Sequence, residues 1–352
     1  MKKLILSFAT IIAASAAFAQ SNSLSVSQTG DGNNAPITQQ GNGNSLSVSQ
    51  NGNGNGVPNY GSINQQGTSN AGSISVNGDQ NQVDFNQTGN SNQGTISTTG
   101  NGNQVFLYNL RDAYGAGSQN EAIITQVGNN NVGGAGDFDG SGHNQSSVTQ
   151  TGNNNEGYAF SMGYQGTNNR TTATQTGNNN FAWAVVNWGQ GSNNEISVAQ
   201  VGDGNEGSVQ AMFGNNNRAS VTQTGNGNVG RASIVGGNFN QIDIAQTGDD
   251  NHAAVEQAYG SQNLAGITQT GSNNALDLLQ NGSSNTATIL QEGNGNTLTG
   301  LESAPRPYNG AGAIQGGNGN SLTLTQTGDG NMVRFGQFGS NNTATIMQGP
   351  QN

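Results

Sequence analysis

The sequence predicts an all-β chain, a β-solenoid of stacked strand–turn–strand rungs of about 22 residues each. Three observations predict it. The string Gln-x-Gly-x-x-Asn recurs seventeen times along 352 residues. The apolar residues before each of these glutamines usually alternate with polar ones, as Leu24 and Val26 do before Gln28 and Ile242 and Ile244 before Gln246. The composition, 8% charged and 30% hydrophobic with 57 glycines, is too polar for an ordinary core to offset conformational entropy. Stacked copies of one short unit escape that limit, because each rung completes the buried face and the backbone hydrogen bonds of its neighbours.

Each element of the unit has a physical reason. Period-2 alternation over five or six residues is the mark of a half-buried strand. The glutamine shares the parity of the apolar residues, so it points inward with them. Gly-x-x-Asn then supplies a turn, glycine taking positive φ and asparagine capping locally. The motif glutamines are candidates for amide ladders, each bonding its copies above and below. The ladder and turn candidates are Gln28, Gly30, Asn33, Gln39, Gln50, Gln150, Gln175, Gln200, Gln223, Gln246, Gln269, Gln280, Gln291, Gln326 and Gln337.

The spacing of the motif sets the rung. Near both ends the step is eleven, as in Gln28, Gln39 and Gln50 or Gln315, Gln326 and Gln337. In the middle, intact motifs follow one another at Gln150, Gln175, Gln200, Gln223 and Gln246. Between them lie degraded copies that keep a turn and lose the glutamine, such as Gly214-Asn215-Asn216-Asn217. Two strands per rung, one arm regular and the other tolerant of change, produce this alternation. Stacking at about 4.8 Å per rung then predicts that Arg170, Glu195 and Arg218 form a column of alternating charge.

The N-terminus reads as a secretory signal peptide over 1–19, with Lys2 and Lys3, an apolar stretch from Leu4 to Ala17, and Ala17-Phe18-Ala19 before Gln20. Residues 20–352 are expected to form one repeat region, with an insertion around 297–313 that carries Pro305 and Pro307 and interrupts the stack before the final three strands. No later apolar run approaches a membrane span, so the chain is expected to be secreted and not transmembrane. The formal charge is −11 before the two leader lysines are lost, and clustered cations suited to nucleic acid are missing. There is no cysteine, which excludes disulfides and thiol chemistry.

At this point the chain resembles the curlin family. The curlin repeat has the form Ser-x5-Gln-x-Gly-x-Gly-Asn-x-Ala-x3-Gln. Gln28-Thr29-Gly30-Asp31-Gly32-Asn33-Asn34-Ala35-Pro36-Ile37-Thr38-Gln39 reproduces everything after its first serine. Gln280, Gly282, Asn285, Ala287 and Gln291 repeat the pattern, as do Gln337, Gly339, Asn342, Ala344 and Gln348. The leading serine is usually asparagine here, as at Asn44 and Asn217. The resemblance implies a subunit of extracellular curli-like amyloid fibres at the cell surface, serving biofilm matrix, adhesion and cell aggregation. Its implied partners are other copies of itself, a nucleator or minor subunit, and an outer-membrane export pore.

Other features carry competing readings. Tyr158, Phe160, Phe181, Trp183, Trp188, Met212, Phe213 and Tyr259 fall on the degraded arm, either as an exposed stripe or as filling beneath longer arches. Gly133-Gly134-Ala135-Gly136-Asp137-Phe138-Asp139 comes near a calcium-binding nonapeptide but misplaces the aspartate, and reads as a loop. His143 and His252 stand alone, so no metal or cofactor is expected. No Ser/His/Asp set or carboxylate cleft suggests an enzyme. The alternative function is a monomeric ice-binding solenoid, suggested by Thr286-Ala287-Thr288 and Thr343-Ala344-Thr345, although Glu195, Ser197, Gln241 and Asp243 take the same places elsewhere.

Overall fold

The computed structural model of the chain describes residues 21–57, 61–109, 119–138, 142–162, 166–187, 191–301 and 312–349. The expected leader at 1–19, Trp188, Asp139, the middle of the expected insertion and Pro350 lie outside them. Among the described residues every regular element is a β-strand, and the strands form a β-solenoid with roughly 23 residues per rung.

Two compact units divide the chain, Met1–Asn168 and Asn169–Asn352. In the first, Ser23–Thr29, Ser45–Asn51, Ala71–Asn77, Gln93–Thr99, Glu121–Val127 and Gln145–Thr151 form one parallel sheet, the regular arm. Ile37–Asn42, Ile63–Thr68, Gln82–Asn90, Gln104–Asn109, Val132–Asp137 and Glu156–Met162 form the variable arm. The second unit repeats the plan. Its regular arm runs through Arg170–Thr176, Glu195–Val201, Arg218–Thr224, Gln241–Thr247, Leu264–Thr270, Thr286–Glu292, Ser321–Thr327 and Thr343–Gln348. Its variable arm holds the strands between them.

The pairing is in register, residue on equivalent residue: Val26 lies beside Val48 and Gln28 beside Gln50, Val198 beside Val221 and Gln200 beside Gln223. Burial follows the sequence alternation. Ser45–Asn51 alternates exposed and buried positions along its whole length, because each pleated strand turns successive side chains to opposite faces. The inner faces of the two arms enclose a thin core of Ile196, Val198, Ala182, Ala184, Ile242 and Ile244, all nearly free of solvent.

Three expectations need correction. Leu24, expected inside, is 41% exposed while its register partner Leu46 is 2% exposed. Its strand has a described neighbour on one side only, so the inward face is only half covered. The insertion does not interrupt the stack. Thr297–Gly300 and Ala313–Gly316 both pair with Ala275–Asn281 on one side and Met332–Phe338 on the other, so the two pieces fill one strand position and the excursion leaves from its middle. Finally, Val132–Asp137 is a strand and not a loop. Two of its glycines make room for the neighbouring strands: Gly134, between Phe106 and Tyr158, for the rings of Tyr158 and Phe160, and Gly136, between Tyr108 and Phe160, for the Tyr108 backbone. A Cβ on Gly134 would stand 2.8 Å from the Phe160 ring.

Candidate assembly interface

The motif glutamines meet as amide ladders with a direction. On the regular arm Gln28 Nε2 donates to Gln50 Oε1 at 2.7 Å, and Gln126 donates to Gln150 at 2.8 Å. In the second unit the run is unbroken: Gln175 to Gln200, Gln223, Gln246, Gln269, Gln291, Gln326 and Gln348, each within 2.8–3.0 Å. Each time the earlier rung donates and the later rung accepts. The second Nε2 hydrogen crosses to the other arm, as from Gln200 to the Phe181 carbonyl and from Gln223 to the Glu206 carbonyl. Both amide donors are thereby satisfied in a dry interior, where an unpaired one would cost about 1–3 kcal/mol.

Gln39, Gln280 and Gln337 belong to the variable arm and form a separate column there. Gln39 donates to Gln65 and Gln65 to Gln87. Gln257 donates to Gln280, Gln280 to Gln315 and Gln315 to Gln337. In the rungs between those two runs the ladder position holds Asn109, Asp137, Ser161, Val186, Ala211 and Ile234, all buried. The ladder is thus kept in the first and last rungs and replaced in the middle.

The asparagines proved more important than a local cap. Asn22 Oδ1 accepts the backbone N–H of Asn44, Asn44 that of Asn70, and Asn70 that of Asn92, at 2.9–3.0 Å. Asn44 Nδ2 meanwhile donates to the Gly67 carbonyl of the next rung and to its own Gln40 carbonyl. The opposite turn does the same: Asn180, Asn205, Asn228 and Asn251 link successively at 3.0–3.1 Å. Asn33, in the first rung, reaches Gly52 O at 2.8 Å and accepts the Asn55 N–H at 3.0 Å. One asparagine therefore knits two rungs at every turn, answering backbone groups that no strand partner could reach. The signal was present in the sequence: Asn194, Asn217 and Asn240 persist where the glutamine is lost.

The turn glycine is required by the same close stacking. Gly30 has φ of 108°, and a Cβ there would lie 2.0 Å from the Gly52 carbonyl oxygen. Only a residue without a side chain lets successive turns nest at rung spacing.

The two terminal strands are complementary. Ser23–Thr29 and Thr343–Gln348 each pair on one side only among the described residues. At the first, Gln28 Oε1 accepts from no described residue. At the last, Gln348 Nε2 keeps one hydrogen beyond its bond to the Met332 carbonyl at 3.1 Å. The edges also expose apolar surface, Leu24 at one and Met347 at the other.

The outer faces resolve the remaining expectations. Arg170, Glu195 and Arg218 occupy successive paired positions, as expected from the stacking, and the Arg218 guanidinium lies 4.0 Å from Asp243 on the next rung. The aromatics divide. Phe160 is buried, Tyr158, Phe181, Trp183 and Met212 are half-buried, and Phe213 and Tyr259 are exposed. Tyr108, Phe138 and Phe160 pack ring against ring at 5.2–5.6 Å. Burial and a hydrogen bond to Glu156 push the Tyr158 phenol up to about 12. Burial, with Asp84 as its acceptor, raises Tyr108 as well.

No curated protein matches the chain. The family model of the curlin associated repeat matches five times, at residues 19–52, 191–225, 237–271, 271–299 and 309–349. These segments carry part of the glutamine and asparagine columns just described, Gln28, Gln50, Gln200, Gln223, Gln246, Gln269 and Gln291 among them, and on that match the chain belongs to the curlin repeat family.

Proposed function

We propose that this chain is an extracellular structural subunit that adds end to end to copies of itself, building curli-type amyloid fibres for biofilm matrix, adhesion and cell aggregation. Curlin-family proteins are structural amyloid subunits and not enzymes, which supports a role without catalysis. The observation that carries the reading is the direction of the ladders. Gln348 and Gln337 offer donors at one end, Gln28 and Gln39 offer acceptors at the other, and the strands that hold them carry the same repeat. A head-to-tail contact of this kind does not close on itself and yields filaments.

The regularity of the ends supports the same conclusion. Rungs in the middle of the chain face only their own neighbours, and their variable arm has lost the glutamine. Rungs at the ends would face another copy, where amide must meet amide. A secretory leader over residues 1–19 completes the proposal, with the nucleating subunit and outer-membrane pore that the family resemblance implies.

The test is assembly of the purified chain lacking residues 1–19, followed by thioflavin binding and fibre diffraction. A meridional spacing of about 4.8 Å is expected. Ile346→Asp should slow growth, since it places an unpaired charge on the inner face of the last strand. A chain that stays monomeric at high concentration, with cell adhesion unchanged by its secretion, would defeat the proposal.

A further inference from the structure

The turns that follow the regular arm carry exposed Asn-Gly pairs, and three of them share one set of contacts. Asn-Gly is the dipeptide most prone to spontaneous cyclisation, because glycine leaves its nitrogen unhindered. In that reaction the backbone nitrogen of the glycine attacks the asparagine Cγ. A C–N bond forms, the Cγ–Nδ2 bond breaks, and ammonia leaves with the proton from the glycine nitrogen. Solvent water then opens the five-membered imide at either carbonyl, giving aspartate or isoaspartate.

At Asn53-Gly54 each reacting atom is engaged by a neighbouring rung. The Gly54 N–H donates to the Asp31 carbonyl at 2.8 Å. Asn53 Oδ1 accepts the Asp31 N–H at 2.8 Å, and Asn53 Nδ2 donates to Asp79 Oδ1 at 3.3 Å. The arrangement recurs at Asn226-Gly227, where Gly227 donates to the Asp203 carbonyl at 3.0 Å and Asn226 bonds Asp203 N–H and Asp249 at 2.9 and 3.2 Å. It recurs again at Asn294-Gly295, held by Ser272 on one side and Asp329 on the other at 2.9–3.1 Å. All three asparagines are exposed, so the stacking contacts, and not burial, restrain them.

We propose that Asn53, Asn226 and Asn294 are spontaneous deamidation sites that rung stacking holds unreactive, so that their conversion marks chains whose rungs have come apart. The chemistry also makes the mark hard to reverse. A carboxylate at 53 would stand between Asp31 and Asp79, and one at 226 between Asp203 and Asp249, with like charges about 5 Å apart on adjacent rungs. Isoaspartate would add a backbone carbon to a turn that bonds directly to the turns above and below, and so disturb its stacking. A converted chain therefore restacks poorly at the rungs that had opened.

The experiment follows each site by peptide mass spectrometry in the full-length chain at mildly alkaline pH, folded and in guanidinium. Conversion at the three sites should run at least about tenfold slower in the folded chain, since reaction requires local opening. Asp79→Ala removes the acceptor beside Asn53, and should speed conversion there several-fold while Asn226 in the same molecules stays slow. Asp79→Asn retains an acceptor and should restore the slow rate at Asn53. Equal rates in folded and unfolded chain would overturn the proposal, as would an Asp79→Ala chain in which Asn53 converts no faster than Asn226.

Discussion

Gln126 donates its Nε2 to Gln150 at 2.8 Å, while its own Oε1 accepts nothing, because the residue paired with it on the preceding rung is Thr98. The Thr98 hydroxyl is buried and unpartnered as well. Gln257 shows the same lack where the preceding residue is Ile234. Buried groups without partners thus gather where a ladder starts again. Thr98→Gln should carry the Gln126 run one rung back, with Val76 still between it and Gln50, and raise stability by about 1 kcal/mol, seen as a higher denaturation midpoint for the first unit.

The converse change should be costly. Gln200 is 1% exposed and stands between Gln175 and Gln223. Gln200→Leu leaves the Gln175 donor and the Gln223 acceptor unpaired in a dry interior, for a loss of about 2–5 kcal/mol. Hydrogen exchange should locate the loss in the strands around Glu195–Val201, since a stack of repeats weakens locally.

Two glycines of one turn should answer differently to the same substitution. A Cβ on Gly202 would stand 2.0 Å from the Gly225 carbonyl oxygen, whereas one on Gly204 would meet nothing within 4 Å. Gly204 has φ of 67°, so alanine there bears only the left-handed penalty of about 1–2 kcal/mol. Gly202→Ala must in addition push two rungs apart, and should prevent folding of that region under conditions in which Gly204→Ala still gives a cooperative thermal transition.

Phe213, Phe239 and Tyr259 are exposed yet hold φ of 53–59°, a region that bulky side chains rarely occupy. Gly236 takes the place between Phe213 and Tyr259 on the intervening rung, also at positive φ. Tyr259→Gly should therefore stabilise the second unit, by about 1 kcal/mol, with a higher melting temperature as the readout.

Alkaline titration tests the packed aromatics. Tyr158 is held at about 12 by burial first and Glu156 second, and an unfolded tyrosine ionises near 10. Its raised value favours the folded chain below about pH 10, and that contribution is lost as pH climbs towards 12, where the unfolded state has already released its proton. Phenolate absorbance should show a fraction of the tyrosines ionising late, and Tyr158→Phe should remove part of it.

Much of this molecule could be read from the chain alone. Period-2 alternation and a motif step of eleven near the ends and 23 to 25 in the middle determine strands, inward glutamines and a two-strand rung, because side-chain direction in a strand depends only on parity. The charge column of Arg170, Glu195 and Arg218 followed from the same count. What the tertiary structure decided was whatever depends on the neighbouring rung. Sequence spacing cannot distinguish an asparagine that caps its own turn from one that bonds the turn above, since both need the residue in the same place. Nor could it assign Val132–Asp137 to a strand, because its glycines matter through what stacks beside them, the Tyr158 and Phe160 rings at Gly134 and the Tyr108 backbone at Gly136. The polarity of the ladders is likewise a property of the stack: an amide has a donor end and an acceptor end, and only the packed rungs orient them all one way.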